Sequence, residues 1–397
     1  MIAQAIRNRR EFFRFLAGSP LALHAWAQQA APQPAIKDLM NLMDFEEPAH
    51  KILPPAHWGY LTTGVDDDLT LKANREGFRH FQLRPRRLVD VSKADLSVEL
   101  FGTRWESPIF ICPVGSQKAF HPEGEIAVAK AARSRHTLQI LSTVSSTSVE
   151  DVSGALGTPP WYQLYMPTTW DNTEKLVHRV EAAGCPVLVW TIDLLAGRNT
   201  ETLERFRRTD TRQCIACHQT AQGGVAGPNS AMAQRKRPMF TGLEGAINPP
   251  QATWEYVDRL KKLTKMKLVL KGIDNGEDAR LCREHGVDGI VLSNHGGRAT
   301  ETGRGTIDCL SEVVEGGGDV PVLVDGGFRR GTDVYKALAL GARAVGIGRP
   351  YIWGLSAFGQ EGVERVLDIL RAELQLTMRQ CGTPAIRQIT RAAIVKE

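Results

Sequence analysis

One histidine stands in the run Ser293-Asn294-His295-Gly296-Gly297-Arg298. An imidazole can take a proton near neutral pH, and a guanidinium three residues on can hold an anion. The pair suits an anionic substrate whose hydroxyl proton must be removed, with His295 as base and Arg298 as anchor. Asp193, in Thr191-Ile192-Asp193, could hydrogen-bond the imidazole and stabilise the imidazolium that forms; its plainer role is capping the segment that follows. A lone histidine is more often structural, so the reading depends on what surrounds it.

Two further loops suit a phosphate: Asp325-Gly326-Gly327-Phe328-Arg329 and Gly348-Arg349. Glycines let backbone N–H groups approach a phosphate closely, and arginine can pair with it bidentately. A Gly-Gly pair alone is a tight turn. Two such loops, each with an arginine, favour phosphate binding.

Elements must bring these groups together. Short apolar runs occur at 109–112, 138–141, 161–165, 187–190, 268–270, 289–292, 322–324 and 344–347. They are continuously apolar, as strands covered on both faces are. Helix-like segments separate most of them, including Glu123–Arg135, Glu174–Ala183, Trp254–Leu263 and Gly331–Leu340. Eight strand–helix units predict an α/β fold, a (β/α)8 TIM barrel with an N-terminal helical extension. A doubly wound open sheet is the alternative, but its glycine fingerprint after the first strand is missing. Every polar cluster follows a strand's C-terminal end: Pro113-Val114-Gly115, Ser142, Gln163 with Tyr165, Thr191 with Asp193, Lys271, Ser293 to Arg298, Asp325 to Arg329, and Gly348-Arg349. In a barrel they converge on the face that carries active sites.

The 397 residues, 42% hydrophobic, allow one large barrel with extensions. The net charge of +5 is spread along the chain without a basic stripe interleaved with aromatics, so nucleic-acid binding is not expected. Five of the seven cysteines (Cys112, Cys185, Cys282, Cys309, Cys381) read as inert core thiols.

The N-terminus carries Asn8-Arg9-Arg10-Glu11-Phe12-Phe13-Arg14, then an apolar stretch ending in Ala25-Trp26-Ala27. Residues 1–30 read as a twin-arginine export signal, and 31–37 as a linker before a barrel domain at 38–397. The expected location is periplasmic; a basic amphipathic helix on a cytoplasmic protein is the alternative. Residues 199–250 predict a long lid loop after the fourth strand. Inside it, Cys214-Ile215-Ala216-Cys217-His218 has the attachment pattern of a c-type haem, with Cys214 and Cys217 as thioether donors and His218 on the iron. A disulfide or a metal site is the other reading of that pair.

From Asp38 to Ile394 the chain resembles the FMN-dependent family of glycolate oxidase, lactate oxidase and the flavin part of yeast flavocytochrome lactate dehydrogenase. The resemblance rests on Tyr60-Leu61-Thr62-Thr63-Gly64, Asn74-Arg75, Arg84-Pro85-Arg86, His121-Pro122-Glu123-Gly124-Glu125 and Gln163-Leu164-Tyr165. It continues through Thr191-Ile192-Asp193, Lys271-Gly272, Ser293 to Arg298, and Asp325 to Gly331 running on to Leu340-Gly341-Ala342. It implies oxidation of a small L-2-hydroxy acid to the 2-oxo acid, with His295 as base, Asp193 as its partner and Arg298 on the carboxylate. Tyr60 and Tyr165 would bond the substrate, and Lys271 would stabilise the reduced flavin near N1 and O2. Pro113, Val114, Gly115, Ser142, Gln163, Thr191 and Ser293 would hold the isoalloxazine and ribityl parts. Asp325, Gly326, Gly327, Phe328, Arg329, Gly348 and Arg349 would hold the phosphate. The C2 hydrogen would pass to flavin N5, as a hydride or by a carbanion route. A homotetramer is also implied.

One departure is visible. The family has an arginine shortly after the Thr-x-Asp segment; ungapped, Thr200 falls there, and a small shift places Arg198. The leading expectation is a dehydrogenase passing electrons to a haem or external cytochrome. The rivals are an oxidase making hydrogen peroxide and, in another class, a non-catalytic flavin or haem electron-transfer protein.

Overall fold

In the computed structural model the apolar runs form parallel strands β1 (Ile109–Ile111), β2 (Ile140–Ser142), β3 (Trp161–Leu164), β4 (Val187–Thr191), β5 (Lys267–Ile273), β6 (Gly289–Leu292), β7 (Val322–Val324) and β8 (Ala344–Ile347). The structure describes residues 34–211, 237–243 and 245–396. The twin-arginine run and Cys214, Cys217 and His218 lie outside them.

Hydrogen bonding runs β1-β8-β7-β6-β5-β4-β3-β2. A parallel bridge between Ile111 and Gln139 returns β1 to the approach of β2 and closes the ring. The open-sheet alternative therefore fails: neither end strand is left as an edge. Phe110, Ile140, Val189, Val269, Val291 and Leu323 fill the interior, each at most 2% exposed. Each such side chain contributes on the order of 1.5–3 kcal/mol by leaving water. An antiparallel hairpin, Val98–Leu100 with Thr103–Trp105, packs Leu100 and Phe101 against this core.

The N-terminal extension supplies α1 (Glu46–Ile52), α2 (Pro55–Thr62) and α3 (Leu69–Glu76). Around the barrel run α4 (Gly124–Ser134), α5 (Val149–Leu156), α6 (Trp170–Ala182), α7 (Glu201–Thr209), α8 (Trp254–Leu263), α9 (Gly276–Glu284), α10 (Thr306–Gly317), α11 (Gly331–Ala339) and α12 (Arg349–Gln380). Local chemistry sets their ends. Ser148 accepts the Asp151 N–H and Asn275 that of Asp278, both N-caps, and Gly157 ends α5 in the left-handed conformation. The chain divides into a unit ending at Leu39, whose described part is a 3-10 turn at Ile36–Asp38, and one from Met40 onward.

Two expectations need correction. The helix expected from Glu174 begins at Trp170, whose ring takes the Arg259 guanidinium at 3.6 Å, so an aromatic first turn is packed rather than free. The 199–250 connection is not wholly a loop, because α7 opens it. Leu203 is buried on one face, and Glu201–Arg205 and Glu204–Arg207 pair on the helix surface. The five scattered cysteines are buried free thiols. Among the described residues, no helix is long and apolar enough to cross a membrane.

Candidate active site

The loop after β6 turns sharply. His295, Gly296 and Gly297 all have positive φ, at 57°, 67° and 77°. A Cβ on Gly297 would meet the Leu71 backbone at 2.6 Å, so glycine is required where the loop passes α3. The turn carries His295 over the barrel mouth, and its backbone N–H donates to Ser293 Oγ at 3.1 Å.

Asp193, just past β4, receives the imidazole. Nδ1 of His295 lies 3.0 Å from Oδ1 and 3.2 Å from Oδ2, which fixes Nδ1 as the donor and leaves Nε2 as the basic nitrogen. Nε2 lies 3.2 Å from the Tyr165 hydroxyl. Burial lowers the His295 pKa, Lys271 lowers it further, and Asp193 opposes both; the net direction is below an ordinary histidine. For Asp193, burial acts upward, but the charges of His295 and Lys271 outweigh it and hold the carboxyl low.

Lys271, near the end of β5, is 5% exposed and stands 4.0 Å from Asp193 and 3.7 Å from Asp325. Burial acts to neutralise it; the two carboxylates more than reverse this and keep the ammonium charged. Its Nζ donates to Ser293 Oγ at 2.9 Å, and that hydroxyl donates to Asp325 at 2.6 Å. The next residue, Gly272, has φ +107°, and a Cβ there would lie 2.6 Å from the Asp193 Cβ. Glycine thus lets Asp193 sit against the strand that carries Lys271.

Ser142, Gln163 and Thr191 form a buried row across β2, β3 and β4. Ser142 Oγ donates to Gln163 Oε1, and Gln163 Nε2 to Thr191 Oγ1, each at 3.0 Å. All three are at most 2% exposed, a polar layer set within the barrel.

Arg298 is folded beneath α2. One nitrogen donates to the carbonyls of Tyr60 and Thr63, and the guanidinium lies 4.1 Å from the Tyr60 ring centre. Its Nε and Nη2 are buried without a partner in the protein. Burial pushes its pKa down to about 10. Buried N–H groups of a cation are costly unless an anion meets them. Arg198 reaches the same region, and its Nη1 donates to the Arg298 carbonyl at 3.2 Å. Thr200 instead begins α7 as its N-cap residue.

Two clefts share Tyr60 and His295. One runs from Pro113 and Val114 past Lys271 to Asp325–Arg329 and Gly348–Arg349. The Nε of Arg329 is buried without a partner, as a phosphate-holding group requires. Arg349 lines the same cleft but donates to the carbonyls of Leu61, Thr63 and Gly296, tying α2 to the His295 loop. The other cleft holds Gly115, Tyr165 and Arg198. Arg298 lines the first cleft, together with the Tyr60 and His295 that both clefts share. These donors fit FMN in the first cleft and an acid where the two clefts meet.

Two positioning residues have no role assigned from sequence. Asn74 exchanges side-chain hydrogen bonds with Asn294 at 2.9 Å and accepts the Thr306 N–H, bracing the His295 loop. Glu125, fully buried, accepts from Gln117 N, Ser146 N and Thr147 Oγ1, joining the loops after β1 and β2. A carboxylate inside the apolar face of α4 is the sequence signal for it.

A barrel, a buried imidazole–carboxylate pair and arginine-bearing glycine loops at one face are the parts that proton transfer beside a phosphate-bearing cofactor requires. The chain belongs to the FMN-dependent dehydrogenase family, whose model matches residues 49–396. It is 39% identical over 366 residues to a peroxisomal (S)-2-hydroxy-acid oxidase of Oryza sativa subsp. japonica, covering 90% of this chain and 96% of that protein. It is 36% identical to an L-lactate dehydrogenase (cytochrome) of Wickerhamomyces anomalus, covering 90% and 62%. Among solved structures, a soluble mutant of the membrane-associated (S)-mandelate dehydrogenase of Pseudomonas putida superposes with a TM-score of 0.78 at 34% identity, over 91% of this chain and all of that one. The protein is an FMN-dependent oxidoreductase.

Proposed function

We propose that the protein oxidises an L-2-hydroxy acid to the 2-oxo acid, with Nε2 of His295 as the base that takes the hydroxyl proton. The Nδ1–Asp193 contact of 3.0 Å carries this reading, because it leaves Nε2 basic and faces the imidazolium with a carboxylate. FMN, held by the polar layer of Ser142, Gln163 and Thr191 and by the Arg329 loop, supplies the two-electron acceptor when bound. Arg298 receives the substrate carboxylate on Nε and Nη2, and Arg198 stands beside it as a second cation. Tyr165 donates toward the substrate hydroxyl, and Tyr60 toward the carboxylate. Lys271 supplies a fixed positive charge where negative charge develops. The test is anaerobic mixing of the holoenzyme with L- and D-2-hydroxy acids: the flavin band bleaches with the L enantiomer only, and bleaching by neither would refute the reading.

For the electrons' exit we propose a cytochrome-type acceptor in the periplasm. The Cys214-x-x-Cys217-His218 pattern and the amino-terminal arginine pair support this, as does similarity to a cytochrome-linked lactate dehydrogenase. Oxygen is the second reading, favoured by the 39% identity to the 2-hydroxy-acid oxidase.

A further inference from the structure

The cleft beyond His295 is larger and more basic than a lactate-sized acid needs. Its cavity volume is about 360 Å³. Besides Arg198, it is lined by Arg207 and Arg237, and no carboxylate of the described residues lines it. Leu203 and Arg207 are one turn apart on α7, so one helix face presents an apolar step followed by a cation. Phe120, Val144 and Ile247 add apolar wall around the same space.

Among the described residues Arg207 forms one ion pair, with Glu204 on its own helix at 3.2 Å. That pair is about half exposed, 45% and 49%, and such pairs hold weakly. Cations gathered in one cleft repel one another, and an anion placed among them relieves the repulsion. A cleft that combines this apolar wall with three guanidinium groups matches a carbon chain that carries a second acid.

Resting on the function proposed above, we infer that the substrate is a 2-hydroxydicarboxylate. Its C1 carboxylate sits on Arg298, and its distal carboxylate is met by Arg207 and Arg237. The redox balance is unchanged: the hydroxyl proton goes to His295, the C2 hydrogen leaves with two electrons to FMN, and the product is a 2-oxodicarboxylate.

The holoenzyme is assayed with 2-hydroxyglutarate and 2-hydroxyadipate against 2-hydroxyhexanoate, following anaerobic flavin reduction and kcat/KM. The dicarboxylates are expected to exceed the monoacid by about tenfold or more, one well-placed ionic contact each way. Arg207→Gln with Arg237→Gln should lower kcat/KM for the dicarboxylates by roughly a hundredfold and leave the monoacid within about twofold. Arg237→Lys should restore part of the loss. The monoacid result also reports that the variant is folded. Equal or better use of the monoacid would overturn the inference. So would an equal fall for both acids, which would show only steering of any anion. Failure of every 2-hydroxy acid to reduce the flavin would overturn the underlying function and the inference with it.

Discussion

Nδ1 of His295 lies 3.0 Å from Oδ1 of Asp193, although the two residues are 102 positions apart. The contact crosses from the loop after β6 to the end of β4. Lys271, on the strand between, sees the same carboxylate at 4.0 Å. Imidazole, carboxylate and ammonium are therefore electrostatically one unit, and the effects of their removal should not add.

That coupling predicts the pH profile. Burial sets His295 below the ordinary 6.5, so the neutral, proton-accepting imidazole persists to lower pH than usual. The acid limb of kcat/KM, which reports the free enzyme, should have its midpoint below 6.5. Lys271 pushes the imidazole down, so Lys271→Met moves the limb up; Asp193 pushes it up, so Asp193→Asn moves the limb down. A limb unmoved by either substitution would contradict the coupling.

Arg298→Lys keeps the charge and loses the fork. With Nε and Nη2 gone, about 1.5–3 kcal/mol of charge-assisted bonding is removed, or roughly 10- to 150-fold in kcat/KM. Flavin content should be unchanged. Steady-state kinetics with a simple 2-hydroxy acid would check this, and an unaltered kcat/KM would remove Arg298 from the carboxylate site.

Gly272→Ala tests the packing behind the base. The position has φ +107°, and the new methyl would meet Asp193. Strain of about 1–3 kcal/mol is expected, with Asp193 displaced from His295. Activity should fall on the order of a hundredfold, as for a misplacement of about an ångström, while flavin stays bound. Wild-type activity with lowered thermal stability would show that Asp193 is free to move without consequence.

The barrel is legible in the sequence because each of its strands is an apolar run followed by a polar cluster. The meeting of His295 with Asp193 is legible because an imidazole and a carboxylate both follow strand ends of one barrel. The braces are harder to see. Asn74 and Asn294 meet from 220 positions apart, and nothing local marks either as one half of a pair. Arg349 reads as a phosphate ligand beside Gly348, yet it also holds three backbone carbonyls of α2 and the His295 loop. α7 is hidden because its short, strongly charged sequence exposes one apolar face, which takes meaning only against α2: a Cβ on Gly59 would overlap Phe206 at 2.5 Å.

Electron exit has its own test. Protein purified from the periplasm should show a reduced c-type haem band that survives acid–acetone extraction and disappears in Cys214→Ser with Cys217→Ser. Flavin alone, with peroxide formed in step with turnover, would favour the oxidase reading.

The central claim is that Nε2 of His295 takes the substrate proton. Stopped-flow reduction of the bound flavin in His295→Gln measures it most directly. The expected result is full flavin content, with the reduction rate lowered by about 10²–10⁴-fold, the contribution of a positioned general base. Reduction at close to the wild-type rate would contradict the assignment of His295 as the base.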